Sequence, residues 1–405
     1  MNTVIFPWSA MVVILASLML TLYKRDGLVL TISYVVIFLV APLSSIIAFP
    51  NFNYNTILPI LVAAHTFFFF GLFFGFALKV KARPAYWEAM IIYNKRLLYF
   101  IVTLLFIVIL GNLGVYSIIF SHYSIKSLND LNIAFSDPNI PSLGIYGRMA
   151  RLAIPAGLLC FTAASYSKIP HAKRILYIFC FLFTLTLIGV RRSILIYQLF
   201  FYIMAYLSIS RSIWGTFKSI IPISFAALLI IFIFGYVQVS TNKTTSDSPL
   251  ISGIRDGSLY FSGNLAYTEC ISQRGESLEK GNAIPIIYTA INRLGNSKDN
   301  VTKSFCNISE DVKFNTSPAY FDFFNDYGYI GVAIFMFLIS FITTLCIVRA
   351  IPMAGLGAIF VTTVLFLFRE NLVGQLDIIL SILVYPFILF VFVRYNKEEQ
   401  VGVHK

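Results

Sequence analysis

Charge is the scarcest commodity in this 405-residue sequence: Asp, Glu, Lys and Arg together make up 12% of it. A soluble domain carries about twice that share. Hydrophobic residues reach 58% and mean hydropathy is +0.82, so a soluble enzyme, a disordered tail and a nucleic-acid binder are all excluded. Metal-ligand patterns are also missing. The chain holds four His and five Cys, with no Asp-x-Asp, no clustered His, no Cys-x-x-Cys and no Gly-rich phosphate loop. That leaves no expectation of a metal or cofactor, and none of a soluble nucleotide-sugar transferase domain. There is no internal repeat and no low-complexity tract.

What is present is a series of long apolar runs. A helix needs about 20 apolar residues to cross a bilayer. Eleven segments approach that length: Val4–Tyr23, Gly27–Phe49, Ile57–Val80, Leu97–Phe120, Met149–Ser167, Ile175–Val190, Ile194–Ser210, Phe217–Val239, Tyr327–Val348, Pro352–Phe368 and Leu376–Val393. The runs are continuous, not alternating, which excludes a β-barrel. The expected fold is therefore an all-α polytopic integral membrane protein of about eleven transmembrane helices. Its expected parts are an N-terminal membrane bundle over 1–239, a long loop over 240–326, and C-terminal membrane helices with a short tail over 327–405. The first run has neither a basic leader nor a small-residue cleavage site, and is expected to remain as a span.

Basic residues orient such a chain. If Lys24 and Arg25 lie inside, every second connection is cytoplasmic. Those connections then hold sixteen basic residues against four acids, which accounts for the whole formal excess of +12. This assignment puts the N-terminus outside, the C-terminus inside and the 240–326 loop outside. Within the loop, Pro249–Cys270 and Asn282–Leu294 read as amphipathic or re-entrant helices over the bundle; a small folded cap is the alternative. Cys270 and Cys306 are its two cysteines, either a staple in an oxidising compartment or a pair of free thiols.

The candidate functional residues are arginines on the side where the charge rule expects few. Arg191 and Arg192 form a tight hairpin. Arg148 and Arg151 share one helical face, three residues apart. Arg369 ends a span beside Glu370, and Arg255 and Arg293 belong to the long loop. Guanidiniums converging on one cavity would suit a diphosphate, because the planar fork donates two hydrogen bonds to phosphate. Snorkelling interfacial arginines are the alternative. The outer acids nearest the surface are Asp256, Asp322, Asp326, Glu370 and Asp377, and His122 is a further candidate base. For each acid, an ion pair or helix cap competes with catalysis.

The end of the long loop, Thr316-Ser-Pro-Ala-Tyr-Phe-Asp-Phe-Phe-Asn-Asp-Tyr-Gly-Tyr-Ile-Gly331, resembles the aromatic-acid-x-Gly-x-x-Gly motif of the O-antigen polymerases of the Wzy type. Asn282–Leu294 resembles the helix that precedes it there. The helix number, the Arg hairpin and the late long loop agree in architecture. In some of those proteins an Arg is followed by Gly eleven residues later in two outer loops, a spacing that no outer Arg of this chain has.

The resemblance implies a GT-C-like glycosyltransferase of the bacterial inner membrane. It would act at the periplasmic face, joining undecaprenyl-diphosphate-linked oligosaccharide units into a polysaccharide. By context it singles out Arg191, and more loosely Arg255 and Arg293; together with the charge placement, the expected catalytic residues are Arg191, Arg192 and Asp326, and the expected substrate-binding residues Arg148, Arg151, Arg255, Arg293 and Arg369. The partners implied are the lipid-linked glycan and membrane lipid, with no nucleic acid; a chain-length regulator stays open. The alternatives are an O-antigen ligase-like transferase and a lipid-linked oligosaccharide flippase. Ligases place a His in the late loop, which has none here, and flippases carry more helices and internal halves.

Overall fold

The structure is a computed structural model that describes residues 2–23, 28–78, 95–125, 130, 134, 143–167, 170–187, 192–209, 262–274, 281, 283–284, 288, 306–309, 312–314, 317–348 and 353–402. In chain order the helices are α1 (Asn2–Tyr23), α2 (Leu28–Ala48), α3 (Ile57–Ala77), α4 (Lys95–His122), α5 (Gly144–Tyr166), α6 (Pro170–Leu185) and α7 (Arg192–Ile209). They continue with α8 (262–273), α9 (Ala319–Ile347), α10 (Ala354–Leu365) and α11 (Leu376–Gly402). Among them α2, α3, α5, α9 and most of α4 are long and apolar enough to cross a membrane. The expected span Phe217–Val239 lies outside the described residues.

The chain forms two compact units. The first holds α1 to α3, α8, α9 and the segment Phe360–Ile379. Its spine is the pair α3 and α9. Gly71 lies against Phe337 and Ser340, and Gly75 against Phe341 and Thr344, so the two helices run parallel and start at the same end. Small residues four apart on both helices let the backbones approach closely.

Beside this pair, α2 contains a π turn over Val36–Val40, and its cause is local. Pro42 has no N–H to give Phe38 O, so the ladder widens there, and Trp8 Nε1 of α1 donates to that carbonyl at 2.9 Å. Phe38 and Trp8 also face His65 of α3, whose Nε2 meets the Tyr34 hydroxyl at 2.5 Å. His65 is thereby a partnered core residue.

In the second unit α5 packs against α4, α6 and α7. Here α6 runs back antiparallel to α5, with Cys180 opposite Gly157 and Tyr177 opposite Ser165. Asn112 of α4 donates to Thr186 at 2.9 Å, and Tyr385 of α11 donates to Thr162 at 3.4 Å.

Four expectations are changed or sharpened. First, a two-stranded antiparallel hairpin, β1 (Cys306–Ser309) with β2 (Val312–Phe314), adds strand to the largely helical described residues. Second, of Pro249–Cys270, expected as an amphipathic or re-entrant helix, the described residues from Ser262 onward are helical as α8 and buried through Ile271. Third, the expected span Tyr327–Val348 corresponds to α9 beyond its kink at Gly328, and a further helical segment, Ala319–Tyr327, precedes it, opened by Pro318 with Ser317 Oγ satisfying the buried Asp322 at 2.5 Å. Fourth, the expected span Pro352–Phe368 is helical for only twelve residues, and the chain turns from Phe366 onward.

Candidate functional site

Three interruptions of helical backbone meet in the first unit. The earliest in the chain is a strap at Gly281 and Ala283. Next comes an elbow from Ser317 to Gly328. The last is the break between α10 and α11, from Phe366 to Gln375.

The elbow is set by one residue. Gly328 has φ +64° and ψ −159°, a backbone region essentially closed to side chains. It folds Ala319–Tyr327 back on the remainder of α9, so that the rings of Phe323 and Phe335 stack 3.9 Å apart. A Cβ at Gly331 would stand 2.5 Å from Tyr327 Cβ and 2.7 Å from Phe323 O, so that position has no room for a side chain. The two glycines of Asp326-Tyr-Gly-Tyr-Ile-Gly331 therefore make a sharp bend and allow its return.

Asp326 sits on this bend and holds the strap. Its Oδ1 accepts from Gly281 N at 2.9 Å and its Oδ2 from Ala283 N at 2.8 Å; Asn325 Nδ2 adds a third contact at 3.2 Å. Both carboxylate oxygens are thus committed to backbone amides of the strap. The carbonyl of Ala283 in turn accepts from Asn371 Nδ2, and Ala319 N donates to Leu367 O at 2.8 Å. Strap, elbow and helix break are thus joined by direct hydrogen bonds.

Arg369 and Glu370 lie in the break. Both backbone amides donate to Phe366 O, at 2.9 and 3.0 Å, which fixes their main chain. Their side chains pair at 3.4 Å, Nη1 to Oε1, and are 17% and 18% exposed. Gln375 Nε2 donates to the other Glu370 oxygen at 3.2 Å. Asn371 and Asp377 beside them are buried.

Of the residues singled out in the sequence, Asp326 holds the strap, and Arg369 lies two residues before Asn371, which bonds the strap carbonyl of Ala283. Arg148 and Arg151 belong to the second unit, on one turn of α5 where Arg151 N donates to Arg148 O at 3.3 Å. Arg148 is exposed and Arg151 half-buried. Arg191, Arg255 and Arg293 lie outside the described residues, as does Asp256; Arg192 opens α7, and only its backbone is described. His122 ends α4 with Nδ1 2.9 Å from Ser121 Oγ and from Ile118 O, a local cap in the second unit.

The sequence reading missed Glu269. It is buried on α8, and its Oε2 accepts from Ile57 N at 3.2 Å, capping the first turn of α3 from another helix. One signal was available: residues 257–273 contain no other charged side chain. Tyr54 reinforces the same corner by donating to Ser45 O at 2.9 Å and Phe49 O at 3.1 Å. Burial, chiefly, pushes its phenol up to about 12, against a lowering hydrogen bond with Ser45 and with a raising contribution from the Glu269 carboxylate, so it remains a donor.

Next to Glu269, Cys270 is disulfide-bonded to Cys306, with Cα atoms 6.4 Å apart, tying α8 to the β-hairpin. Closing this 36-residue separation restricts the unfolded chain by roughly 4 kcal/mol on the loop-entropy account. Cys270→Ser is accordingly expected to lower stability by about 2–5 kcal/mol. It should also abolish a mobility difference between reduced and non-reduced gels; identical mobilities for the wild type would contradict the bond.

Among the described residues no group of three or more His, Cys, Asp or Glu is placed to hold a metal ion. No protein family, curated protein or solved structure matches this chain.

Proposed function

We propose that the protein polymerises undecaprenyl-diphosphate-linked oligosaccharide repeat units at the periplasmic face of a bacterial inner membrane. The observation that carries this reading is Arg369: a partly exposed guanidinium in a helix break, beside an acid-pinned strap, among helices apolar enough for a bilayer. The twelve residues of α10 span about 18 Å at 1.5 Å per residue. That falls short of the roughly 30 Å hydrocarbon core. Irregular backbone at such depth is tolerated where protein buries it or where it lines a wet cavity, and ionisable groups there usually serve function.

The chemistry fits a single strong cation. In glycosyl transfer the acceptor hydroxyl oxygen bonds to the anomeric carbon and loses its proton, while the carbon–oxygen bond to the diphosphate breaks. Diphosphate leaves with the electron pair, and charge develops on its oxygens. A fixed guanidinium at those oxygens lowers the barrier by electrostatic stabilisation. In this reading Asp326 is a positioning residue, since its oxygens are committed to the strap that Asn371, two residues from Arg369, also bonds. The disulfide supports an oxidising compartment for α8 and the hairpin, hence the outer side for the start of α3 and α9.

Deleting the gene is expected to leave single repeat units on the lipid anchor, seen as loss of the polysaccharide ladder on a gel. Full-length chains in the deletion strain would end the reading. Complete loss of attached sugar would favour a flippase or a ligase.

A further inference from the structure

Arg148 and Arg151 take no part in the strap, the elbow or the helix break; they lie near the start of α5, in the second unit. The helix is not regular there. Arg151 N donates to Arg148 O at 3.3 Å and Leu152 N to Met149 O at 3.2 Å, two successive bonds across three residues. That is 3₁₀ geometry, in which side chains at i and i+3 eclipse. The tightened turn sets one guanidinium over the other, and like charges at this spacing repel. Among the described residues neither guanidinium has an ion pair or a hydrogen bond to relieve the repulsion.

We infer that Arg148 and Arg151 together hold the phosphodiester headgroup of an anionic phospholipid. The 23 residues of α5 extend about 34 Å, slightly more than the roughly 30 Å hydrocarbon core. The two arginines are its fifth and eighth residues, so they lie just inside one edge of that core. Side chains on a helix lean toward its N-terminus. Both arms therefore reach back toward the near headgroups, with apolar stems in the hydrocarbon and charged tips among phosphates. Arg148 is exposed and Arg151 half-buried, and Ile145 and Tyr146 are exposed on the preceding turn, beside which an acyl chain can lie.

The base of this seat is rigid although its arms are long. The Tyr146 ring packs on Gly114 and Met149 on Gly111, which presses the turn directly against α4. One phosphodiester has two unesterified oxygens, one for each fork, and its negative charge offsets the repulsion between the two cations. Selection among phosphate esters is weak, because Gly144-Ile-Tyr-Gly-Arg-Met-Ala-Arg151 adds only the Tyr146 hydroxyl to the two guanidiniums. Occupancy then follows supply, and phospholipid is the phosphate ester that a bilayer supplies in bulk. It does not depend on what Arg369 binds.

The test is native mass spectrometry of the full-length protein released from nanodiscs of phosphatidylcholine with a minor share of phosphatidylglycerol. The wild type should retain phosphatidylglycerol out of proportion to its share. Arg148→Gln and Arg151→Gln should each lower that retention about fivefold, and the double variant about 30-fold, with the wild-type preference fading as salt rises. Melting temperature reports the α4–α5 packing, and Arg148→Gln, at an exposed position, carries the test by itself if the double variant does not fold. Wild-type retention in the folded variants would overturn the inference and leave two arginines that snorkel without a bound lipid. Farnesyl diphosphate, added in smaller amount than the phosphatidylglycerol, should leave its retention unchanged; displacement would give the pair to a prenyl diphosphate and overturn the inference equally.

Discussion

Gly71→Leu should destabilise the protein by about 3 kcal/mol or more, the upper range for overpacking a closed interface. The expected readout is a lower melting temperature in detergent and a smaller yield of monodisperse protein. The size of the effect comes from what the new side chain meets. Even a single Cβ at Gly71 would collide with Ser340 Oγ and with the carbonyl of Phe337. The hydroxyl can rotate, but the carbonyl belongs to the α9 ladder and can move only if the helix moves.

Four residues on, a Cβ at Gly75 would stand 2.7 Å from Thr344 Cβ, so α3 has no slack in that direction either. In a bilayer, lipid tails are as apolar as the helices they surround. Parallel helices of this kind therefore associate through close van der Waals contact and small residues, and forcing them apart forfeits that contact. Ser340→Ala makes the useful control. Its hydroxyl bonds to its own helix at Met336 O, so its loss should cost well under 1 kcal/mol. A Gly71→Leu protein that melts like the wild type would refute the parallel packing of α3 on α9.

Most of the membrane helices were legible because their signal is local: an unbroken apolar run of sufficient length reports itself. The errors share the opposite character. Residues 319–327 look like loop, since Asp322, Asn325 and Asp326 interrupt the aromatics. They are helical because Ser317 takes up Asp322 and the strap takes up Asp326, partners that are close in space but, for the strap, more than forty residues away in sequence.

At α10 the apolar run continues through Phe366–Phe368 after the helix has stopped, because burial requires apolar side chains and does not require helix. The α8 helix falls in the stretch Pro249–Cys270 that reads as helix, but its small and polar residues, Ser262, Asn264, Thr268 and Glu269, gave no sign that all would be buried. For the site, the motif Asp326-Tyr-Gly-Tyr-Ile-Gly331 was visible and its residues do make a special bend. The fold-back geometry was not visible, because a positive φ at Gly328 leaves no trace in the sequence beyond the glycine itself. For Cys270 and Cys306, the two cysteines of the long loop, counting left a bond and a pair of free thiols both open; the structure pairs them.

Arg369→Ala should reduce chain extension by roughly 10²- to 10³-fold, the loss typical of removing one preorganised group at a developing oxyanion. The measurement is a ladder assay with purified protein and defined lipid-linked repeat units. A structural explanation must be separated from the electrostatic one. Removing the guanidinium also takes the counter-charge from Glu370, and a partly buried carboxylate that loses its cation destabilises its surroundings.

The double variant Arg369→Ala/Glu370→Gln removes that charge. If the double variant folds like the wild type and still fails to extend chains, the defect is electrostatic. Arg369→Lys sharpens the test further. It keeps the positive charge but presents a point ammonium in place of a planar fork, so it should recover part of the lost binding and little of the rate. Were Arg369→Ala to extend chains at the wild-type rate, the guanidinium would be a snorkelling anchor, and the helix break between α10 and α11 would have no claim on the chemistry.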